Sequence, residues 1–172
     1  AGIAVFTPSE ERTDEEIEKV SQINLNSVIY GITELSKYVE KKKQKNNELV
    51  AKVVNIASIY GLISPNSSIY TDTARNSSEI YGATKAGVLQ MTKYFAARYA
   101  KLPISINCIA PGGVLNKKVQ GDEFIKNYSR LVPQQRLCYS EEVAELTYFL
   151  ANNGIEYLSG QTIALDGGMT AW

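Results

Sequence analysis

Apolar positions follow two different periods along this chain. Ile17, Val20, Ile23, Leu25, Val28, Ile32 and Leu35 recur at mostly helical spacing, which predicts a helix with one buried face. Thr13-Asp14-Glu15-Glu16 precedes them in the form of a capping box, with Thr13 as N-cap and Glu16 at the third helical position. The pattern runs toward Lys43, where Lys41-Lys42-Lys43-Gln44-Lys45 sets cations at the negative end of the helix dipole. Leu49 to Ala57 and Ile104 to Ala110 are instead short, largely apolar runs rich in β-branched residues, and predict buried strands. Glu79 to about Tyr99 predicts a second long helix, stopped by Leu102-Pro103. Asp122 to Ser129 predicts a short helix, and Ser140 to Ala151 another, with a capping-type start flanked by Ser140 and Val143 and a stop at Asn152-Asn153-Gly154. Leu62 to Ile80 reads as a polar loop. The order helix, strand, helix, strand, helix, helix, strand predicts one α/β domain over residues 1–172, built on a parallel sheet with flanking helices.

Composition narrows the function. A chain of 172 residues has room for a real core. Its 18 basic and 18 acidic side chains give no electrostatic case for nucleic acid or an anionic membrane. No apolar stretch is long enough to span a bilayer, and no signal peptide is visible, so the expectation is a cytoplasmic protein acting on a small molecule. Cys108, on a predicted strand, and Cys138, near a loop, show no disulfide pattern and suggest a reducing compartment. The absence of histidine excludes Ser-His-Asp hydrolysis and His-ligated metal sites within this chain, and no metal is expected.

The chemistry gathers around Tyr81-Gly82-Ala83-Thr84-Lys85. On a helix, residues i and i+4 share a face. A free phenol ionises near pH 10, and an ammonium fixed beside it favours the phenolate, so the pair can act as a general acid/base unit. Tyr38 and Lys42 have the same spacing but lie in the lysine-rich helix end, where a solvated pair is the simplest reading. Company separates the two. Ser58 stands at the end of the first predicted strand, and the second strand ends in Pro111-Gly112-Gly113-Val114, whose glycines allow close backbone approach to a flat ligand. Open α/β sheets bind ligands beyond the carboxyl ends of their strands. Each residue also has a plainer reading: Ser58 as a turn former, Tyr81 as a packed aromatic, Pro111-Gly112-Gly113 as a turn, and Arg75 in the loop as a solvated charge.

Taken in order, these motifs resemble the short-chain dehydrogenases/reductases over nearly the whole chain. Ala1-Gly2 is similar to the tail of the family's Asn-Asn-Ala-Gly motif, Asn24 falls at its catalytic asparagine, and Ser58, Tyr81 and Lys85 match the rest of the tetrad. Pro111-Gly112 matches the turn beside the nicotinamide, and Gly160 to Gly168 the last strand with its Asp-Gly-Gly ending. The resemblance implies a Rossmann-type fold and hydride transfer between NAD or NADP and an alcohol or ketone. Tyr81 would exchange the proton, Ser58 would hold the substrate oxygen, and Lys85 would lower the Tyr81 pKa and hold the ribose. Asn24 would anchor a water, and the Val114 backbone would meet the carboxamide. Asn116 stands where the family often has a threonine touching the pyrophosphate. Family members commonly form homodimers or homotetramers through their two long helices, here those holding Asn24 and Tyr81.

Two departures accompany the resemblance. The glycine-rich phosphate loop and the first βαβ units have no counterpart here; at about 30 residues per unit, roughly 80 residues are expected upstream. Weak or absent dinucleotide binding is expected of this chain alone. The segment between Ser58 and Tyr81 is longer than usual and holds Tyr70, Asp72, Thr73, Arg75 and Asn76. It resembles the branch that modifies bacterial surface glycans and flagellin, which implies a sugar-like substrate, with Arg75 as the group to meet a phosphate. The alternatives are a 3-oxoacyl reductase and a non-catalytic truncated fragment or assembly module.

Overall fold

The computed structural model describes residues 2–43, 50–71 and 77–171. Thr13 caps the first helix as its sequence predicts: its hydroxyl accepts the Glu16 amide while Glu16 accepts the Thr13 amide, an arrangement worth about 1 kcal/mol. Helix α1 (Asp14–Ser21) leads through a π-helical turn (Gln22–Asn26) into α2 (Ser27–Lys43). The single predicted helix is therefore continuous but carries a one-turn widening, which periodicity alone does not show. Strand β1 (Ala51–Ile56), helix α3 (Glu79–Arg98), strand β2 (Ile104–Pro111), helices α4 (Asp122–Leu131) and α5 (Ser140–Asn152), and strand β3 (Thr162–Leu165) follow in the expected order.

The sheet is parallel, in the order β1-β2-β3, with Ala51 opposite Ile104 and Cys108 opposite Thr162. Every residue of β2 is buried, as its unbroken apolar run requires of a central strand. Alternation along β2 sends Ile104, Ile106, Cys108 and Ala110 to one face. There Ile32, Val39 and Phe95 close one cluster, and Val88, Leu89 and Ala57 a second beside it. Asn107 faces the other way, donating to Leu158 O and accepting from Gln161 N, which fixes the turn into β3.

Two expectations change. The cap of α5 is Tyr139, whose amide donates to Glu142, not Ser140. The Leu62–Ile80 segment is more than a polar loop. It contains a 3-10 turn, Ser67–Ile69, and Ile69 is buried with Tyr128, Val132 and Leu137 under α4. One apolar residue is enough to dock it, whereas its polar composition hides that anchor.

Candidate active site

The site forms at the carboxyl rim of the sheet. Ser58, just past β1, is buried, and its Oγ accepts the Tyr60 amide at 3.1 Å, capping a 3-10 turn, Ile59–Gly61. That turn lies directly on α3. A Cβ at Gly61 would sit 2.7 Å from the Lys85 carbonyl carbon, so only glycine permits the approach. Ser58 thereby meets the first turn of α3, with its side chain close enough to Tyr81 to favour the phenolate. Tyr81 is itself held by the helix cap, its amide donating to Ser78 Oγ. One turn on, Lys85 is only 6 % exposed; its Nζ donates to Ile56 O at 3.0 Å and lies 5.6 Å from the Tyr81 ring centre.

Asn24 sits in the π turn and is 2 % exposed. Its carboxamide pairs with one residue as a neighbouring strand would: Nδ2 donates to Ile3 O and Oδ1 accepts from Ile3 N, both at 2.8 Å. Nδ2 also approaches Thr84 Oγ1 on α3 at 3.4 Å. Gly2 is caught between, since a Cβ there would lie 3.4 Å from both Asn24 Oδ1 and Lys85 Nζ. A second tie holds the N-terminal segment. The buried Arg12 side chain pairs with Glu79, the first residue of α3, at 2.6 Å and donates to Thr7 O.

Electrostatics corrects one expectation. Burial pushes the Tyr81 phenol above its ordinary value, and the nearby Ser58 side chain offsets part of that. Burial likewise pulls Lys85 below its ordinary value. Lys85 was expected to bring the Tyr81 pKa down, but its ammonium is turned to the Ile56 carbonyl, and desolvation of the phenol is the larger effect. The Tyr38–Lys42 pair has the same 5.6 Å ring-to-ammonium distance, yet Tyr38 is 54 % exposed and lines no cavity with Ser58.

A cavity of about 560 Å³ opens over these groups. Gly2, Ser58, Tyr81, Lys85, Pro111, Gly112 and Val114 all line it. The Gly112 amide donates to Leu165 O, and Gly113 packs so closely on Tyr128 that a Cβ would fall 2.7 Å from its ring. Asn24 stands behind Gly2 and supports the wall. Asn116 is not on the lining; its Oδ1 accepts the Lys118 amide in a local turn. Ala1 and Arg75 lie outside the described residues. The sequence reading missed the remaining wall: Ile3, Phe6, Tyr60, Tyr70, Phe124 and Tyr128. Tyr60 could have been found two residues beyond Ser58; Phe124 and Tyr128 share a face of α4 by their spacing. Among the described residues no acidic or thiol cluster is placed to hold a metal, and no helix is long and apolar enough to cross a membrane.

Comparison with known proteins agrees with this geometry. The profile of the family described as enoyl-(acyl carrier protein) reductase matches residues 1–170. A 3β-hydroxysteroid dehydrogenase 1 of Eggerthella lenta is 30 % identical over 179 residues, covering 100 % of this chain and 62 % of that protein. An NADH-dependent L-xylulose reductase of Ambrosiozyma monospora is 30 % identical over 180 residues, covering 100 % of this chain and 61 % of its own. The solved short-chain dehydrogenase of Leptospira borgpetersenii, with bound NAD+, superposes with a TM-score of 0.87 at 37 % identity, over 99 % of this chain and 62 % of that one. The chain thus spans less than two thirds of the length of these relatives. With its α/β parallel sheet and a matching profile over nearly every residue, the chain belongs to the short-chain dehydrogenase/reductase family.

Proposed function

We propose that this chain carries the reacting end of an NAD- or NADP-dependent oxidoreductase that interconverts an alcohol and a ketone on a sugar-like substrate. The observation that carries the reading is the convergence of Ser58, Tyr81 and the buried Lys85 on one large cavity. The residues present fit a nicotinamide nucleoside. Gly2, Gly112 and Gly113 present bare backbone to the cavity, and the Lys85 ammonium stands at its wall. The nicotinamide, when bound, supplies or takes the hydride.

Tyr81 Oη then gives a proton to the substrate oxygen in reduction, or takes it in oxidation. Ser58 Oγ donates a hydrogen bond to the same oxygen and steadies its developing charge. Lys85 Nζ, which donates to the Ile56 carbonyl, would hold the ribose hydroxyls of that nucleoside. Asn24 holds residue 3, and with it the Gly2 wall, in place.

The polar loop, the phenols of the wall and the C-terminal Gly167-Gly168-Met169-Thr170 support a hydroxylated substrate of the kind handled in bacterial surface-glycan modification. Ile3, Phe6, Ile59 and Phe124 give the cavity an apolar side that favours a second reading, a 3-oxoacyl reductase. Exposed Tyr30 and Tyr94 on α2 and α3 fit pairing with a second copy of the chain, as a homodimer or homotetramer. A substrate panel read through nicotinamide absorbance tests the assignment. Sugar and polyol ketones are expected to be reduced with higher kcat/KM than 3-oxoacyl thioesters; faster thioester reduction would replace the sugar-like reading with the acyl one.

A further inference from the structure

The wall opposite Lys85 is built of phenols. Tyr60, Tyr70 and Tyr128 line the cavity beside Tyr81, and Lys85 is the one charged group on its lining among the described residues. Tyr60 belongs to the 3-10 turn whose amide holds Ser58 Oγ, so its position is fixed relative to the reacting oxygen. Tyr70 lies near enough to Tyr60 and to Tyr81 to raise the pKa of both. Each phenol hydroxyl carries one proton and lone pairs that a ligand oxygen can meet. Burial pushes Tyr60 well above the ordinary phenol value and Tyr128 up to about 12, so both stay neutral at any working pH.

Tyr70 is also held rigidly. Its ring packs on Phe124 at 5.7 Å, and Phe124 on Tyr128 at 5.8 Å. Next to it, Thr71 donates to Glu123 at 2.6 Å and accepts from Asn127 at 2.8 Å, both on α4. The long loop and α4 are therefore one wall, set before any ligand arrives. Rings offer a surface for the C–H face of a cyclic molecule, and the Tyr60 and Tyr70 hydroxyls offer polar points in the cavity that Ser58 and Tyr81 line.

We propose that Tyr60 and Tyr70 are specificity-determining residues that read a second, neutral hydroxyl on the carbon next to the reacting one, so that the preferred substrate is a ring compound with adjacent hydroxyl groups. The inference rests on Tyr81 and Ser58 holding the reacting oxygen. A substrate without the second hydroxyl leaves the half-buried phenols without that partner, and sites built to bond a hydroxyl reject analogues that lack it.

The test is oxidation by the holoenzyme of cyclohexanol, cis- and trans-1,2-cyclohexanediol, and 1,3-cyclohexanediol. The wild-type enzyme is expected to prefer one 1,2-diol over cyclohexanol by at least about tenfold in kcat/KM. Tyr60→Phe and Tyr70→Phe, each removing only an oxygen, are expected to bring that ratio to within about threefold. A wild-type ratio near one, a preference for the 1,3-diol, or Phe variants that keep the 1,2-diol preference would overturn the inference while leaving hydride transfer standing. Turnover of none of the four compounds would remove the oxidoreductase reading and this inference with it.

Discussion

Tyr81 and Tyr38 make a controlled comparison within one molecule. Both have a lysine four residues on and 5.6 Å from the ring centre, and only Tyr81 lines the cavity with Ser58. Tyr81→Phe is expected to lower kcat by about 10²- to 10⁴-fold, the usual worth of a positioned proton donor, with the melting temperature held. Tyr38→Phe, at an exposed position, is expected to leave both unchanged. Comparable kcat losses in the two variants would remove Tyr81 from its role. At this scale the sequence was informative about identity and misleading about energetics. Spacing and neighbours pick out Ser58, Tyr81 and Lys85, but they do not show that Lys85 turns to the Ile56 carbonyl or that burial dominates the phenol. Those depend on side-chain direction and solvent access, which no spacing encodes.

Among the elements, the start of α5 has a bearing on the site. Arg136 meets Glu142 through two bonds of 2.7 Å, and Glu142 also accepts the Tyr139 amide at 2.8 Å. Cys138, between them, donates its amide to Gly113 O and so ties this corner to the Pro111-Gly112-Gly113 turn. The Arg136 hydrogen bonds, with the Tyr139 amide, hold the Glu142 carboxyl down at about 2 against an ordinary 4.5. Its folded value is the lower one, so the contribution to stability is present above pH 4.5 and is lost as pH falls from there toward 2. Melting temperatures of wild type and Glu142→Gln are expected to differ at neutral pH and to converge through that acid window; a gap that persists at the acid end would show that the carboxylate is not its source. Element order and type were legible because long periodic stretches and Pro or Gly stops are local signals. The shift of this cap from Ser140 to Tyr139 was not, because Glu142 selects the residue whose amide it can reach.

For the whole molecule, the described residues form a three-stranded slice of sheet with β2 in its middle and the reacting groups on one rim. The sequence holds no glycine-rich strand-to-helix turn of the kind that cradles a pyrophosphate. A polypeptide of residues 1–172 alone is therefore expected to show no saturable NAD or NADP binding by titration calorimetry. Tight binding would place the pyrophosphate contacts within these residues. The parallel sheet was readable from the alternation of strand and helix, and the aromatic wall was not, since Tyr60, Tyr70 and Phe124 come together only through the docking of one loop on one helix. The π turn at Gln22–Asn26 constrains the chain in a further way. Each residue of an α-helix rotates the backbone by about 100°. The wider turn absorbs roughly one such step, so deleting one residue there would close the helix up as an ordinary one with its Thr13 end nearly in phase with Val28. Asn24 lies within the widened turn, so its carboxamide is the group such a deletion would draw away from Ile3. The helix itself would survive that change, and what is expected to go is the hold on residue 3 and the Gly2 wall beside it.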